Sequence, residues 1–134
     1  MKKVFIIFFL CLLHKQLIAQ NPPGEPNIAW METEYQLSDG NVDITFVWDM
    51  WWGENGDHWK LLQNGNVIYE TEIAPNTPQP QHDEVIIIFT VTGQFDFMID
   101  LCNYYERDEI CTSSNPITIT IFGGEDETEI DPGF

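Results

Sequence analysis

Five tryptophans stand out in this chain as side chains able to grip a ligand, and four of them crowd into Val47 to Gly65, VWDMWWGENGDHWKLLQNG. These four are Trp48, Trp51, Trp52 and Trp59; the fifth is Trp30. A small core uses one or two such side chains, so some of this set needs another role. The indole face carries the negative part of the ring quadrupole. The C–H face of a pyranose is apolar and slightly positive, so a flat tryptophan can stack on a sugar with no charge on either partner. The second use of an exposed tryptophan is to anchor a protein interface. The third is packing against its own turn. For Trp51 the residue pattern leaves all three open.

Around the same turn lie Asp49, Glu54 and Asp57. They can hydrogen-bond sugar hydroxyls or acetamide N–H groups, and they can equally keep an apolar patch soluble. Catalytic groups find less support. Ser38, Ser113 and Ser114 sit in no nucleophile elbow. His58 and His82 stand beside acids at strand starts and read as solvated surface histidines. No acidic loop has calcium-hand spacing. No cofactor is expected, and the chain is not read as an enzyme.

The elements that position these residues follow a period of two. Val42, Ile44, Phe46 and Trp48 alternate with Asp43, Thr45 and Val47; Phe95, Phe97, Ile99 and Leu101 alternate with Asp96, Met98 and Asp100; Ile117, Ile119 and Ile121 alternate with Thr118 and Thr120. Each reads as a half-buried strand. Further strands are expected near 28–36, 58–63, 66–72 and 84–91, with Asn64-Gly65 as a tight hairpin turn. The proline-rich 74–82 connects strands. About seven short strands and no helical stripe predict an all-β fold, a sandwich of the immunoglobulin or fibronectin type III kind, with a small barrel as the rival. Trp48 falls in register with the core. Trp59 is assigned to the core as the buried tryptophan of a third strand. Alternation fails after Trp48, so the facing of Trp52 stays open.

The ends differ from the middle. Lys2 and Lys3 precede an apolar run, Val4 to Leu13, too short for a stable membrane anchor. With a cut after Ala19, residues 1–19 read as a signal peptide and the protein as secreted. Residues 20–27, QNPPGEPN, read as a short leader to the domain, which spans 20–122. Residues 123–134 carry five acids and read as a disordered tail. Without residues 1–19, Lys60 and Arg107 face 22 acids, a formal net charge of −20. Such a surface repels nucleic acid and anionic membranes. Neither is an expected partner after cleavage, whereas a neutral polymer meets no such penalty. Of three cysteines, Cys102 and Cys111 remain, too few for a structural zinc site. An even count in a secreted chain predicts a disulfide, the alternative being two buried thiols.

The segments PNIAW, FVWDMWWGENGDHWKLLQNG, FTVTGQFDFMIDLCN and CTSSNPITITI together resemble the N-terminal domain of bacterial chitinase A-type enzymes, from about Pro26 to Ile121. The resemblance implies a fibronectin-like sandwich that guides chitin with exposed tryptophans, matched here by Trp30 and Trp51. It matches Trp48 to the buried tryptophan and Cys102 with Cys111 to the disulfide. Three departures stand out. No catalytic barrel or paired-acid signature is present. Trp52 replaces a more usual polar residue and can widen the stacking surface. The segment between the cysteines is longer and carries Tyr104 and Tyr105. A copper oxygenase acting on chitin wants an N-terminal histidine, and cleavage after Ala19 leaves Gln20. The reading is a secreted chitin-binding module stacking on Trp30, Trp51 and Trp52, with insoluble polysaccharide and a separate glycoside hydrolase as partners. Its rival is an extracellular protein-interaction module using the same aromatic patch.

Overall fold

The computed structural model describes residues 21–124. The expected signal peptide (1–19) lies outside them, as does the expected acidic tail except for Gly123 and Gly124. Nine strands run through the described residues: β1 (Asn27–Ile28), β2 (Glu34–Gln36), β3 (Val42–Met50), β4 (His58–Gln63), β5 (Asn66–Glu72), β6 (Gln81–Phe89), β7 (Gly93–Tyr105), β8 (Asp108–Ser113) and β9 (Ile117–Phe122). They form two sheets, one ordered β1-β3-β6 and one ordered β2-β9-β7-β4-β5, with β8 also beside β7. The fold is an all-β sandwich.

Alternation explains how the sheets close. On β3, Ile44, Phe46, Trp48 and Met50 are fully buried. They meet Trp59 and Leu61 of β4, Phe97, Ile99 and Leu101 of β7, and Ile119 and Ile121 of β9 in one core. Across the sheets, Trp48 meets Trp59 edge-on with ring centroids 5.6 Å apart, and Phe46 lies 4.8 Å from Phe97. The Trp59 indole N–H donates to Asp83 Oδ2 of β6 at 2.8 Å, a polar tie between the two sheets. Trp48 and Trp59 are thus both core residues, Trp48 as its register with Val42, Ile44 and Phe46 predicts and Trp59 as its assignment to the buried tryptophan of a sandwich strand predicts.

Three details depart from the strand pattern expected from sequence. The segment near 28–36 is two strands, because the chain crosses from one sheet to the other there: β1 pairs with β3, while β2 runs parallel to β9. The strand expected near 84–91 begins earlier and pairs with β3 from Val42↔Phe89 to Met50↔Gln81. The acidic, poorly alternating β8 forms a hairpin with the far half of β7, while β9 pairs with its near half. Between β8 and β9, Pro116 has no N–H to donate. Ser114 bridges the interruption: its N–H donates to the Ile99 carbonyl at 2.7 Å, and its Oγ accepts from the Ile99 N–H at 2.9 Å. The Asn64-Gly65 hairpin joins β4 to β5 as expected, with φ of 50° and 84°.

Cys102 and Cys111 face each other across the β7–β8 ladder and are joined by a disulfide, with Cα atoms 4.0 Å apart.

Candidate functional site

Strand β3 ends at Met50, and the next two residues leave the sheet. Trp51 is 52 % exposed and Trp52 86 % exposed. Alternation alone would send Trp52 inward with Met50. It does not go there, because the chain bends away at Gly53, whose φ is +118°. The bend also needs a bare backbone: a Cβ on Gly53 would lie 2.6 Å from the Gly24 Cα. Gly24 donates its N–H to the Glu54 carbonyl at 2.9 Å, and Pro23 bridges to Glu54. The Pro23 carbonyl in turn accepts from Thr112 Oγ1 at 2.6 Å. The segment read from sequence as a leader is therefore built into the domain, with Pro23 and Pro26 buried.

The turn after the tryptophans is held from several sides. The Gln81 amide clamps Gly56 twice, accepting from its N–H and donating to its carbonyl, both at 2.8 Å. Asn55 donates to the carbonyls of Pro75 and Thr77, and Gln79 donates to the Gly53 carbonyl at 2.9 Å. The proline-rich connection thus buttresses the turn. Trp51 and Trp52 therefore stand on a base held by these hydrogen bonds.

Trp51 and Trp52 line an open groove of about 490 Å³ together with Glu25 and Asn27. Glu25 and Asn27 were not singled out from sequence; the proline-flanked Gly24-Glu25 was the signal available there. Asn27 pairs with Asp49 in the β1–β3 ladder, and its Nδ2 donates to Asp49 Oδ1 at 3.4 Å. Trp30 is 90 % exposed. It follows Ala29, whose N–H donates to the Val47 carbonyl. The fold therefore gathers Trp51 and Trp52 into one groove, whose lining does not include Trp30.

The acids and histidines divide differently from expectation. His58, read from sequence as a solvated histidine, is buried. It starts β4 opposite Cys102, lies under the Tyr104 ring at 4.1 Å, and bonds Asp57 Oδ1 through Nδ1 and Glu109 Oε2 through Nε2. Asp57 also accepts from the Tyr104 backbone N–H at 3.1 Å, so it serves the fold and not the tryptophan groove. Lys60 donates to Glu109. That bond holds the Glu109 carboxyl below its ordinary range against the opposing effect of burial, and it raises the Lys60 ammonium. His58, Cys102 and Glu109 bring possible metal-ligand atoms within 4.8 Å of one another. The Cys102 sulfur is committed to the disulfide and both His58 nitrogens to carboxylates, so the cluster is built as a structural network. His82 is exposed, as expected, opposite Asp49 on β6.

A two-sheet all-β sandwich defines this protein's class. The chain belongs to the family of the chitinase A N-terminal domain, which it matches over residues 38–129. It is 24 % identical over 114 residues to a chitinase of Autographa californica nuclear polyhedrosis virus, in an alignment covering 74 % of this chain and 19 % of that protein. The chain thus spans about a fifth of that relative's length. Among solved structures it is similar to the fibronectin(III)-like modules of Clostridium thermocellum CbhA, with a TM-score of 0.49, 13 % identity, and coverage of 74 % of this chain and 98 % of that one. It is also similar to a lytic polysaccharide monooxygenase of Jonesia denitrificans, with a TM-score of 0.39, 14 % identity, and coverage of 72 % and 60 %.

Proposed function

We propose that this protein is a secreted, non-catalytic module that binds polysaccharide, chitin or a related β-linked N-acetylglucosamine chain. The signal peptide (1–19) is removed on export, the sandwich (20–122) carries the site, and the acidic segment (123–134) is a tail. Trp51 and Trp30 stack on sugar rings, Trp52 widens the surface, and a separate glycoside hydrolase works on the polymer so held. The observation that carries this reading is the arrangement of the exposed indoles. Three are exposed, Trp30, Trp51 and Trp52, and two of these wall one open groove, which suits stacking on sugar rings. Membership of a chitinase domain family supports chitin as the polymer.

Calorimetric titration with soluble N-acetylglucosamine oligomers of increasing length tests it. Affinity should rise until the oligomer reaches from Trp51 to Trp30. Trp30→Ala should abolish the gain from length, and Trp51→Ala should abolish binding. Binding that ignores both substitutions would overturn the reading.

A second reading, a protein-contact module, draws support from a different surface. Ile86 and Ile88 of β6 are more than half exposed on the outer face of the three-stranded sheet, beside an edge that no described strand covers. It predicts that charged substitutions at Ile86 and Ile88 cut partner binding while Trp51→Ala does not.

A further inference from the structure

We propose that the Trp51–Trp52 groove selects sugar units bearing a free, protonated amine, as in a partly deacetylated β-linked glucosamine polymer, over fully N-acetylated units. This rests on the reading of the tryptophan edge as a sugar platform.

The argument is one of charge and hydrogen-bond complement. The groove is walled by two indoles, and its polar side chains are Glu25 and Asn27. Asn27 gives one amide hydrogen to Asp49 and keeps its Oδ1 and a second amide hydrogen, while Glu25 supplies a carboxylate to the groove lining. No cationic side chain lines the groove. Of the two basic residues in the described range, Lys60 is engaged by Glu109 and Glu70 on the other sheet, and Arg107 sits between β7 and β8. The nearest titratable base in the register is His82, across Asp49 from Asn27. An N-acetyl group is neutral: its carbonyl can take an indole or amide N–H, but it brings no positive charge to the Glu25 carboxylate. An ammonium instead brings three donors and a positive charge. It can bond the Glu25 carboxylate with charge assistance and lie against the indole faces. The 22 acids of the chain add a long-range field of the matching sign.

General attraction between an acidic protein and a polycation must be separated from the groove's own preference. Short glucosamine and N-acetylglucosamine oligomers of equal length are titrated by calorimetry at mildly acidic pH, where the amine is protonated. The proteins compared are the wild type, Glu25→Gln, Trp51→Ala and a charge-matched control, Glu34→Gln, on exposed β2 of the opposite sheet. The amine oligomer should bind about tenfold more tightly, the increment of one charge-assisted bond. Glu25→Gln should erase that preference, Glu34→Gln should preserve it, and Trp51→Ala should remove binding of both oligomers. Equal affinity for the two oligomers overturns the proposal and leaves the sugar platform standing, as does an equal loss in Glu25→Gln and Glu34→Gln. If the wild type binds neither oligomer, the platform reading falls and takes this proposal with it.

Discussion

Gly24 and Gly53 pack backbone to backbone: a Cβ on Gly53 would sit 2.6 Å from the Gly24 Cα, and one on Gly24 only 2.2 Å from the Trp52 carbonyl oxygen. Two indoles can leave the sheet side by side because no side chain separates the N-terminal segment from the bend that carries them. Gly24→Ala should therefore force this contact apart. We expect it to cost about 1–3 kcal/mol as a small overpacking and to weaken polysaccharide binding although Gly24 touches no ligand. Urea unfolding and binding, measured on the same variant, check both parts.

The two buried tryptophans should respond to substitution differently. Either Trp48→Ala or Trp59→Ala should destabilise by about 3–5 kcal/mol. The finer contrast comes with phenylalanine. Trp59→Phe loses the bond to Asp83 Oδ2, at a cost of about 1 kcal/mol beyond lost packing, because the half-buried carboxylate keeps the Glu84 N–H on its Oδ1. The Trp48 indole N–H has no hydrogen-bond partner, so Trp48→Phe loses packing alone. Denaturant midpoints of the two phenylalanine variants give the comparison.

Stability should fall on acidification through Glu109. Its folded carboxyl titrates below the ordinary value of 4.5, chiefly through the Lys60 hydrogen bond. The stabilisation is complete above that ordinary value and is lost as pH falls from there through the lowered folded value. Lys60 is raised above 10.5 by the same bond, so its contribution is complete below 10.5 and is lost as pH rises through the folded value. Glu109→Gln should flatten both limbs of a melting-temperature profile, and an unchanged profile would contradict this role.

Reducing the Cys102–Cys111 disulfide releases a loop with a sequence separation of only 9. A short loop limits the gain, roughly 2–3 kcal/mol on chain entropy. The bond also sits beside His58 in the ladder. A Cys102→Ser, Cys111→Ser variant should remain folded at room temperature and unfold at lower denaturant, as circular dichroism in urea would show.

The long strands were legible in the sequence because each places one face in the core and repeats every two residues, as Ile44, Phe46 and Trp48 do. Trp51 stood out because it falls outside that repeat and Trp30 through the family resemblance, and both are exposed. What escaped were contacts fixed by tertiary structure. His58 looks like a surface residue beside Asp57, and only the pairing of β4 with β7 brings Tyr104 and Glu109 over it. Glu25 and Asn27 lie in a stretch whose prolines suggest a loose leader, and only the Gly24–Gly53 contact lays them against the indoles. Trp52 could not be oriented because its direction depends on the backbone at Gly53.

The central claim is that exposed tryptophans hold a polysaccharide, and co-sedimentation of the protein with insoluble chitin and with cellulose, Trp51→Ala alongside, tests it most directly. The account predicts that the wild type sediments with chitin and that Trp51→Ala stays in solution while keeping the wild-type unfolding midpoint. A wild-type protein that binds neither polymer, or a folded Trp51→Ala protein that sediments with chitin as well as the wild type does, would contradict it.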